Sequence, residues 1–145
     1  MRLKNFILAC MLTLSISVAA QEKGKSYDWT RVINAIIQVE SKGNAKAHNP
    51  NGDCCGILQI TRVLVRDVNE YLKIKGSSKR YTLADRYNVQ KSKEMFILYQ
   101  ERHNPGHNVE KAIRIWNGGP YYYKGKAGKT DGYYRKVMKY YNGGN

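Results

Sequence analysis

The stretch from Gln38 to Thr61, QVESKGNAKAHNPNGDCCGILQIT, concentrates the side chains that could carry out chemistry. It places one carboxyl group, Glu40, and one amide, Gln59, on either side of a polar loop. Ile33 and Ile36 precede Glu40 at helical spacing, so the glutamate extends an apolar helix face. A carboxylate there loses hydration if it is buried. Either the side chain turns out to water at the helix end, or it lies in a cleft where a raised pKa suits a general acid.

Three motifs follow one another along this part of the chain. E-S-x-x-N-x-x-A begins at Glu40, G-x-x-Q-I occupies Gly56 to Ile60, and IRIWNGGP occupies Ile113 to Pro120. Their order and content resemble the lytic transglycosylase (SLT-like) family of the goose-type lysozyme-like superfamily. The resemblance spans Glu40 to Pro120, which is most of the chain after its first segment. It favours the cleft interpretation of Glu40.

The resemblance implies a fold and a set of site residues. The expected fold is all-α, a small lysozyme-like helical domain with a catalytic cleft and little or no sheet. The family's glutamate before the serine is the catalytic acid/base, which corresponds here to Glu40. Asn49 lies in the region where the family has a serine that assists the substrate N-acetyl group, and Trp116 replaces the family's tyrosine. The residues expected to contact substrate are Ser41, Asn49, Gln59, Trp116, Asn117 and Tyr121.

The implied reaction is cleavage of the bond between N-acetylmuramic acid and N-acetylglucosamine in peptidoglycan. In the resembled family one glutamate protonates the glycosidic oxygen and then deprotonates the muramic 6-hydroxyl, which closes a 1,6-anhydro ring. Most glycosidases need two carboxylates, and the first acid to follow Glu40 in this sequence is Asp53, in the polar loop. If Asp53 positioned a water, the protein would be a hydrolytic lysozyme-type muramidase. A non-catalytic glycan-binding protein is a further alternative. The resemblance implies no cofactor.

Two adjacent cysteines, Cys54 and Cys55, follow the polar loop. They could pack as small apolar groups or form a strained vicinal disulfide. Adjacent cysteines lack the usual spacing of a zinc site, so we expect no metal. A cysteine nucleophile with a histidine base would suit a wall peptidase, which is an alternative reading of the same stretch.

Helices must position these residues, because apolar residues recur at helical spacing in five segments and little of the chain alternates as a strand would. Asn88 and Asn108 are predicted to cap the third and fourth helices, and Gly118 to Pro120 is predicted to end the fourth. The residues predicted to face the core in the last three helices are Val89, Phe96, Ile97, Gln100, Val109, Ala112, Ile113, Trp116, Tyr134, Val137, Met138 and Tyr141.

The first segment of the chain has the pattern of an export signal. Arg2 and Lys4 precede an apolar run, and small residues come before Gln21. We therefore expect a signal peptide over residues 1–20 and a single catalytic domain over residues 21–145. The apolar run is short and interrupted by hydroxyl residues, so we expect no stable membrane span. The expected location is the periplasm or cell envelope.

The chain is strongly basic, with 25 lysines and arginines against 11 acidic residues and a formal net charge of +14. Such a protein is attracted to anionic surfaces such as a cell envelope. The lysines are scattered and no nucleic-acid motif accompanies them, so no nucleic-acid partner is expected. The expected partner is the glycan strand of peptidoglycan. By analogy with other small wall-opening enzymes, a secretion or conjugation machinery is a possible second partner.

Overall fold

The computed structural model of the protein describes residues 26–121 and 127–144. They form five α-helices and two short antiparallel strands, which confirms the all-α prediction. The predicted signal peptide lies outside the described residues. Within them, no helix is long and apolar enough to cross a membrane. The elements are α1 (Thr30–Glu40), β1 (His48–Asn49), β2 (Cys54–Cys55), α2 (Arg62–Ile74), a 3₁₀ helix (Leu83–Tyr87), α3 (Val89–His103), α4 (Val109–Gly118), a second 3₁₀ helix (Ala127–Thr130) and α5 (Asp131–Tyr141).

A single hydrophobic core takes side chains from all five helices. Helix α1 packs against α5, α2 packs against α3, and α4 packs against both α1 and α5. Ile36, Phe96, Ile113 and Val137 are fully buried at the centre of this arrangement. Their burial agrees with the helical spacing of apolar residues in the sequence. Helix α1 therefore has both α4 and α5 as neighbours.

The caps of α3 and α4 are formed as predicted. The side chain of Asn88 accepts a hydrogen bond from the backbone N–H of Lys91 at 2.9 Å, and Asn108 accepts one from Lys111 at 2.8 Å. Each bond satisfies an N–H that the first turn of a helix leaves unpaired. Helix α4 ends at Gly118 and is followed by its C-cap Gly119, whose positive φ of 86° suits a residue without a side chain.

The prediction that Val89 faces the core is wrong. Val89 is 39% exposed, because it is the first residue of α3 and the buried face of that helix begins one turn later at Ser92. The predicted burial of Gln100 is correct, and its amide donates to the Ala112 carbonyl oxygen at 3.5 Å. A buried amide is tolerated when it has hydrogen-bond partners of this kind.

The segment between the strands and α2 is held by a buried arginine. Arg86, in the first 3₁₀ helix, donates to the carbonyl oxygen of Asp53 at 2.8 Å and to that of Ile60 at 3.3 Å. These two carbonyls lie at the two ends of the segment that carries β2 and Gln59. One guanidinium therefore fixes both ends of a segment that would otherwise be an irregular loop.

Gly56 lies within this segment, and we predict that Gly56→Ala destabilises the protein strongly. Its φ is +76°, and an added Cβ would overlap the carbonyl oxygen of Arg86. The left-handed backbone costs about 1–2 kcal/mol for a residue with a side chain, and overpacking adds about 1–3 kcal/mol. Urea unfolding should therefore show a loss of about 2–5 kcal/mol.

Gly43→Ala is the matched control, because Gly43 has a φ of +85° and no atom within 4 Å of the added Cβ. It should show only the backbone cost of about 1–2 kcal/mol. Equal losses in the two variants would contradict the close approach of Gly56 to Arg86.

Candidate active site

The carboxyl of Glu40 lies at the end of α1, where that helix packs against α5. The side chain is half-buried, and the hydroxyl of Tyr133 donates a hydrogen bond to Oε1 at 2.6 Å. Tyr133 belongs to α5 and is 93 residues away in sequence. The glutamate therefore does not simply turn out to water at its helix end.

Burial raises the pKa of Glu40, and the hydrogen bond from Tyr133 lowers it by a smaller amount. Burial also raises the pKa of Tyr133, and the neighbouring charge of Glu40 adds to that rise. The phenol therefore stays protonated and donates. Because the folded state holds the Glu40 proton more tightly than the unfolded chain does, this group favours folding below its unfolded pKa. That contribution is lost as the pH rises through the folded pKa.

A cavity of about 180 Å³ opens beside Glu40. It brings together residues from the end of α1, the strand segment, the start of α2 and the end of α4. Four of the predicted site residues line it with Glu40, although their roles in binding stay predictions. The lining residues are Glu40, Asn49, Cys54, Gln59, Thr61, Leu64, Trp116 and Asn117.

The amide of Gln59 is fixed by the backbone of its own loop. Its Nε2 donates to the carbonyl oxygen of Gly56 at 2.9 Å and to that of Ala47 at 3.4 Å. Gln59 has a positive φ of 50°, an uncommon conformation for a residue with a side chain. The partner that a half-buried amide requires is thus supplied by the loop, and the side chain stays in the cavity wall.

The opposite wall is the end of α4. The Trp116 ring packs against Phe96 at 4.9 Å and Tyr99 at 5.8 Å between ring centroids, and the side chain is half-buried. These contacts fix the plane of the indole. Asn117 follows it and is exposed at the rim of the cavity. The wall therefore offers an aromatic face and an amide.

Two predicted contact residues do not line the cavity. The hydroxyl of Ser41 donates to the carbonyl oxygen of Ile57 at 2.8 Å and accepts from the backbone N–H of Gly43 at 3.2 Å. These bonds tie the end of α1 to the segment that carries Gln59, so Ser41 positions the site from outside the cavity. Tyr121 is 81% exposed and is not part of the wall. The residues that follow it, 122–126, lie outside the described residues.

The two cysteines are free thiols, so the vicinal disulfide is not formed. Cys54 faces the cavity, and Cys55 is buried. Burial raises the pKa of the Cys54 thiol, and the nearby negative charge of Glu40 raises it further. A nucleophilic cysteine needs the opposite shift, because the thiolate is the reactive form. The environment of Cys54 therefore disfavours the peptidase alternative.

Asp53 does not line the cavity. Its carboxylate accepts a hydrogen bond from Arg62 and lies 3.4 Å from Arg86, and the bond from Arg62 is the main reason that its pKa is lowered. Asp53 also forms a cluster with His48 and Cys55 of the kind that could hold a metal ion. The two arginines already pair with this carboxylate and add positive charge beside it, which disfavours a cation there.

Larger depressions lie elsewhere on the surface. One of about 630 Å³ lies between α1 and the end of α5, and one of about 520 Å³ lies along α2. Neither joins a half-buried carboxyl to an amide and an aromatic ring, so we place the candidate active site at the smaller cavity.

Tyr133 is the important residue that sequence reasoning missed. It is one of 12 tyrosines, and seven of them fall in the last 25 residues. The signal that could have found it is its spacing from Val137 and Tyr140, which places it on the buried stripe of α5. Thr61 and Leu64 were also missed. Thr61 caps α2 by accepting from the Leu64 N–H at 3.2 Å, which sets both residues at the cavity edge.

We predict that Tyr133→Phe raises the pKa of Glu40 further. The substitution keeps the ring that buries the carboxyl and removes the hydrogen bond that favours its ionised form. An NMR titration that resolves the Glu40 carboxyl would measure the change. Tyr140→Phe is the control, because Tyr140 is a half-buried tyrosine of the same helix that lines a different depression. An unchanged or lowered pKa in Tyr133→Phe would contradict the account of this bond.

Comparison with known protein families agrees with the geometry of the site. A family model described as Transglycosylase SLT domain matches residues 17–145, which include every residue that the structure describes. A search of curated proteins found no match. The family is lysozyme-like and helical, as this fold is. The chain therefore belongs to the transglycosylase SLT family of peptidoglycan lytic transglycosylases.

Proposed function

We propose that the protein cleaves the β-1,4 bond between N-acetylmuramic acid and N-acetylglucosamine, with Glu40 as both general acid and general base. One observation carries the proposal. Glu40 has a raised pKa and is the only carboxyl group among the described residues that line the cavity. A single carboxyl with a raised pKa in a polar and aromatic cavity suits a reaction that uses one acid twice.

In the first step protonated Glu40 gives its proton to the oxygen of the glycosidic bond. The bond between that oxygen and the muramic C1 then breaks, and positive charge develops at C1. A raised pKa keeps more of the carboxyl protonated near neutral pH, which increases the fraction of enzyme ready for this step. The Glu40 carboxylate that forms is stabilised by the hydrogen bond from Tyr133.

In the second step the Glu40 carboxylate takes the proton of the muramic 6-hydroxyl. The hydroxyl oxygen bonds to C1 and closes a 1,6-anhydro ring, and Glu40 returns to its protonated form. No water enters the reaction, so no second carboxylate is needed to activate one. The reaction therefore needs one carboxyl group, and the described residues of the cavity wall supply one, Glu40.

The other lining residues bind and orient the sugars in this proposal. Gln59 is held rigidly by two carbonyl oxygens, and Asn117 offers a second amide at the rim. Asn49 lies on β1, where its side-chain oxygen accepts from the Asn51 N–H at 3.2 Å, which leaves its amide N–H groups to donate to an N-acetyl carbonyl. Trp116 supplies a flat face against which a sugar ring can pack.

A hydrolytic muramidase would need a group to activate water. Asp53 is the first acid after Glu40 in the sequence, but its carboxylate pairs with Arg62 and Arg86 and does not line the cavity. A carboxylate paired in this way is a weak base. We therefore propose the anhydro-forming reaction rather than hydrolysis.

Export to the periplasm or cell envelope completes the proposal, because peptidoglycan lies there. The basic patterning of Arg2 and Lys4 before an apolar run supports it. We extend the proposal to a role in opening the wall for a secretion or conjugation machinery, which the small size of the domain supports by analogy.

We predict that Glu40→Gln lowers the rate of glycan cleavage by about 10²–10⁴-fold or more, since removal of a general acid typically has an effect of that size. The amide has nearly the same shape but cannot cycle between acid and base. Release of soluble fragments from purified peptidoglycan, followed by liquid chromatography, would measure the rate.

Glu101→Gln is the matched control, because Glu101 belongs to α3, pairs with Lys75 at 3.3 Å and does not line the cavity. It should keep a near-native rate, and both variants should keep the native circular dichroism spectrum. Near-native cleavage by Glu40→Gln would exclude Glu40 as the catalyst.

We predict that the thiols take no part in the chemistry. The variant with Cys54→Ala and Cys55→Ala should still cleave glycan strands, and its stability should fall by about 1–3 kcal/mol because Cys55 is buried. The same cleavage assay and a thermal melt would test this. Loss of cleavage with an unchanged melting curve would favour a cysteine-dependent reaction.

A further inference from the structure

A second groove begins where the cavity ends. The start of α2 contributes to both, since Thr61 and Leu64 line the cavity while Arg62 and Val65 line the groove. The groove has a volume of about 520 Å³ and runs along α2 as far as Lys73. We call it the α2 groove. Its opposite side is formed by residues 80–83, which lead into the first 3₁₀ helix.

The α2 groove is lined by positive charge that no carboxylate in the described part of the chain neutralises. Arg66, Lys73 and Arg80 form no ion pair with any carboxylate within residues 26–121 and 127–144. The acid in the groove, Glu70, bonds to Arg102, which lies outside it, at 3.2 Å. The groove therefore presents three cations to whatever it binds.

Arg80 is fixed before any ligand arrives. Its Nη1 donates to the carbonyl oxygens of Ser77 and Lys79, both at 2.6 Å. A guanidinium has five N–H donors, so the remaining N–H groups stay available for a carboxylate. Holding the side chain in place reduces the conformational entropy lost on binding.

The groove also has apolar surface between its charges. Val65 and Tyr81 are buried in its floor, and Leu83 is 39% exposed at its edge. A groove with apolar surface and cationic rims suits a short extended peptide that carries several carboxylates. It suits a bare sugar chain poorly, because neutral sugars offer no partner for three cations.

We propose that the α2 groove binds the acidic stem peptide attached to the muramic acid of the substrate, an inference that rests on the proposed function. The lactyl group of muramic acid carries this peptide, so a muramic residue held beside Glu40 would direct it along the surface next to the cavity. From Arg62 to Lys73 the helix rises about 16 Å, at about 1.5 Å per residue. An extended peptide of four or five residues spans about 13–18 Å, which matches that length.

Recognition of the stem peptide would make the enzyme favour strands that still carry their peptides. The three cations would hold the peptide carboxylates, and the muramic ring would be oriented in the cavity as a consequence. An acidic partner protein could use the same charges, but it would not need the groove to adjoin the cavity.

The first test is binding, which needs no catalytic activity. The probe is a synthetic tetrapeptide with the stem sequence, L-alanine, D-glutamate, meso-diaminopimelate and D-alanine, titrated into the full chain and followed by NMR. We expect shifts at α2 and at residues 80–83, and an affinity about tenfold weaker in Arg66→Glu, Lys73→Glu than in the unaltered protein. The double variant Arg135→Glu, Lys136→Glu reverses two exposed cations on α5, so it is the charge-matched control and should bind normally.

The second test compares intact glycan strands with strands stripped of their peptides by an amidase. The double variant Arg66→Glu, Lys73→Glu should have a KM about tenfold higher on intact strands and an unchanged kcat. On stripped strands, its KM should equal that of the unaltered protein. An equal change in KM on both substrates, or no binding of the tetrapeptide by the unaltered protein, would overturn the inference.

The two tests separate this inference from the proposed function. If the unaltered protein binds the tetrapeptide at the α2 groove but cleaves no strand, the proposed function fails and the binding site stands. If it cleaves both substrates with equal KM and ignores the tetrapeptide, the binding site fails and the proposed function stands. Binding of an acidic protein with no affinity for the tetrapeptide would also overturn the stem-peptide assignment.

Discussion

The burial of one carboxyl group is the constraint on which the rest of the site depends. Glu40 can be kept out of water only because α5 supplies Tyr133 as a hydrogen-bond donor at 2.6 Å. Without a donor, the ionised group would be costly to bury. With a neutral donor rather than a cation, the charge is only partly compensated, so burial still raises the pKa. The packing of α1 on α5 thus sets both the position and the protonation of the group.

The opposite side of the cavity depends on a second buried polar group. Arg86 bonds to two backbone carbonyls and fixes the segment that carries Gln59, and the close approach of Gly56 to its backbone leaves no space for a side chain. Ser41 then joins this segment to α1 through the carbonyl of Ile57. The catalytic candidate and the cavity wall are therefore held relative to one another by short backbone contacts.

Local patterns predicted the helices and part of the site. Apolar spacing and the caps at Asn88 and Asn108 are properties of a few neighbouring residues, so they can be read directly from the sequence. The motifs correctly predicted that Glu40, Gln59 and Asn117 line one cavity. Each residue lies at or next to the end of a helix or strand, and the packing of the core sets the direction of these elements.

Long-range polar contacts could not be predicted in this way. Helical spacing can place Tyr133 on the inward face of α5, but it does not show that the Tyr133 hydroxyl meets Glu40, which is 93 residues away. Arg86 has the same difficulty, because an arginine in a polar stretch is normally exposed. The predicted burial of Val89 was wrong for a different reason. Val89 lies in the first turn of α3, before the buried face of that helix begins.

If Glu40 is the only catalytic carboxyl group, the oxygen bonded to muramic C1 in the product comes from the substrate and not from water. Peptidoglycan would be digested in water enriched in heavy oxygen and the products analysed by mass spectrometry. The account predicts 1,6-anhydro ends without heavy oxygen, because the muramic 6-hydroxyl is the nucleophile. Reducing ends that carry one heavy oxygen would contradict it, since they would require a water molecule and a second group to activate it.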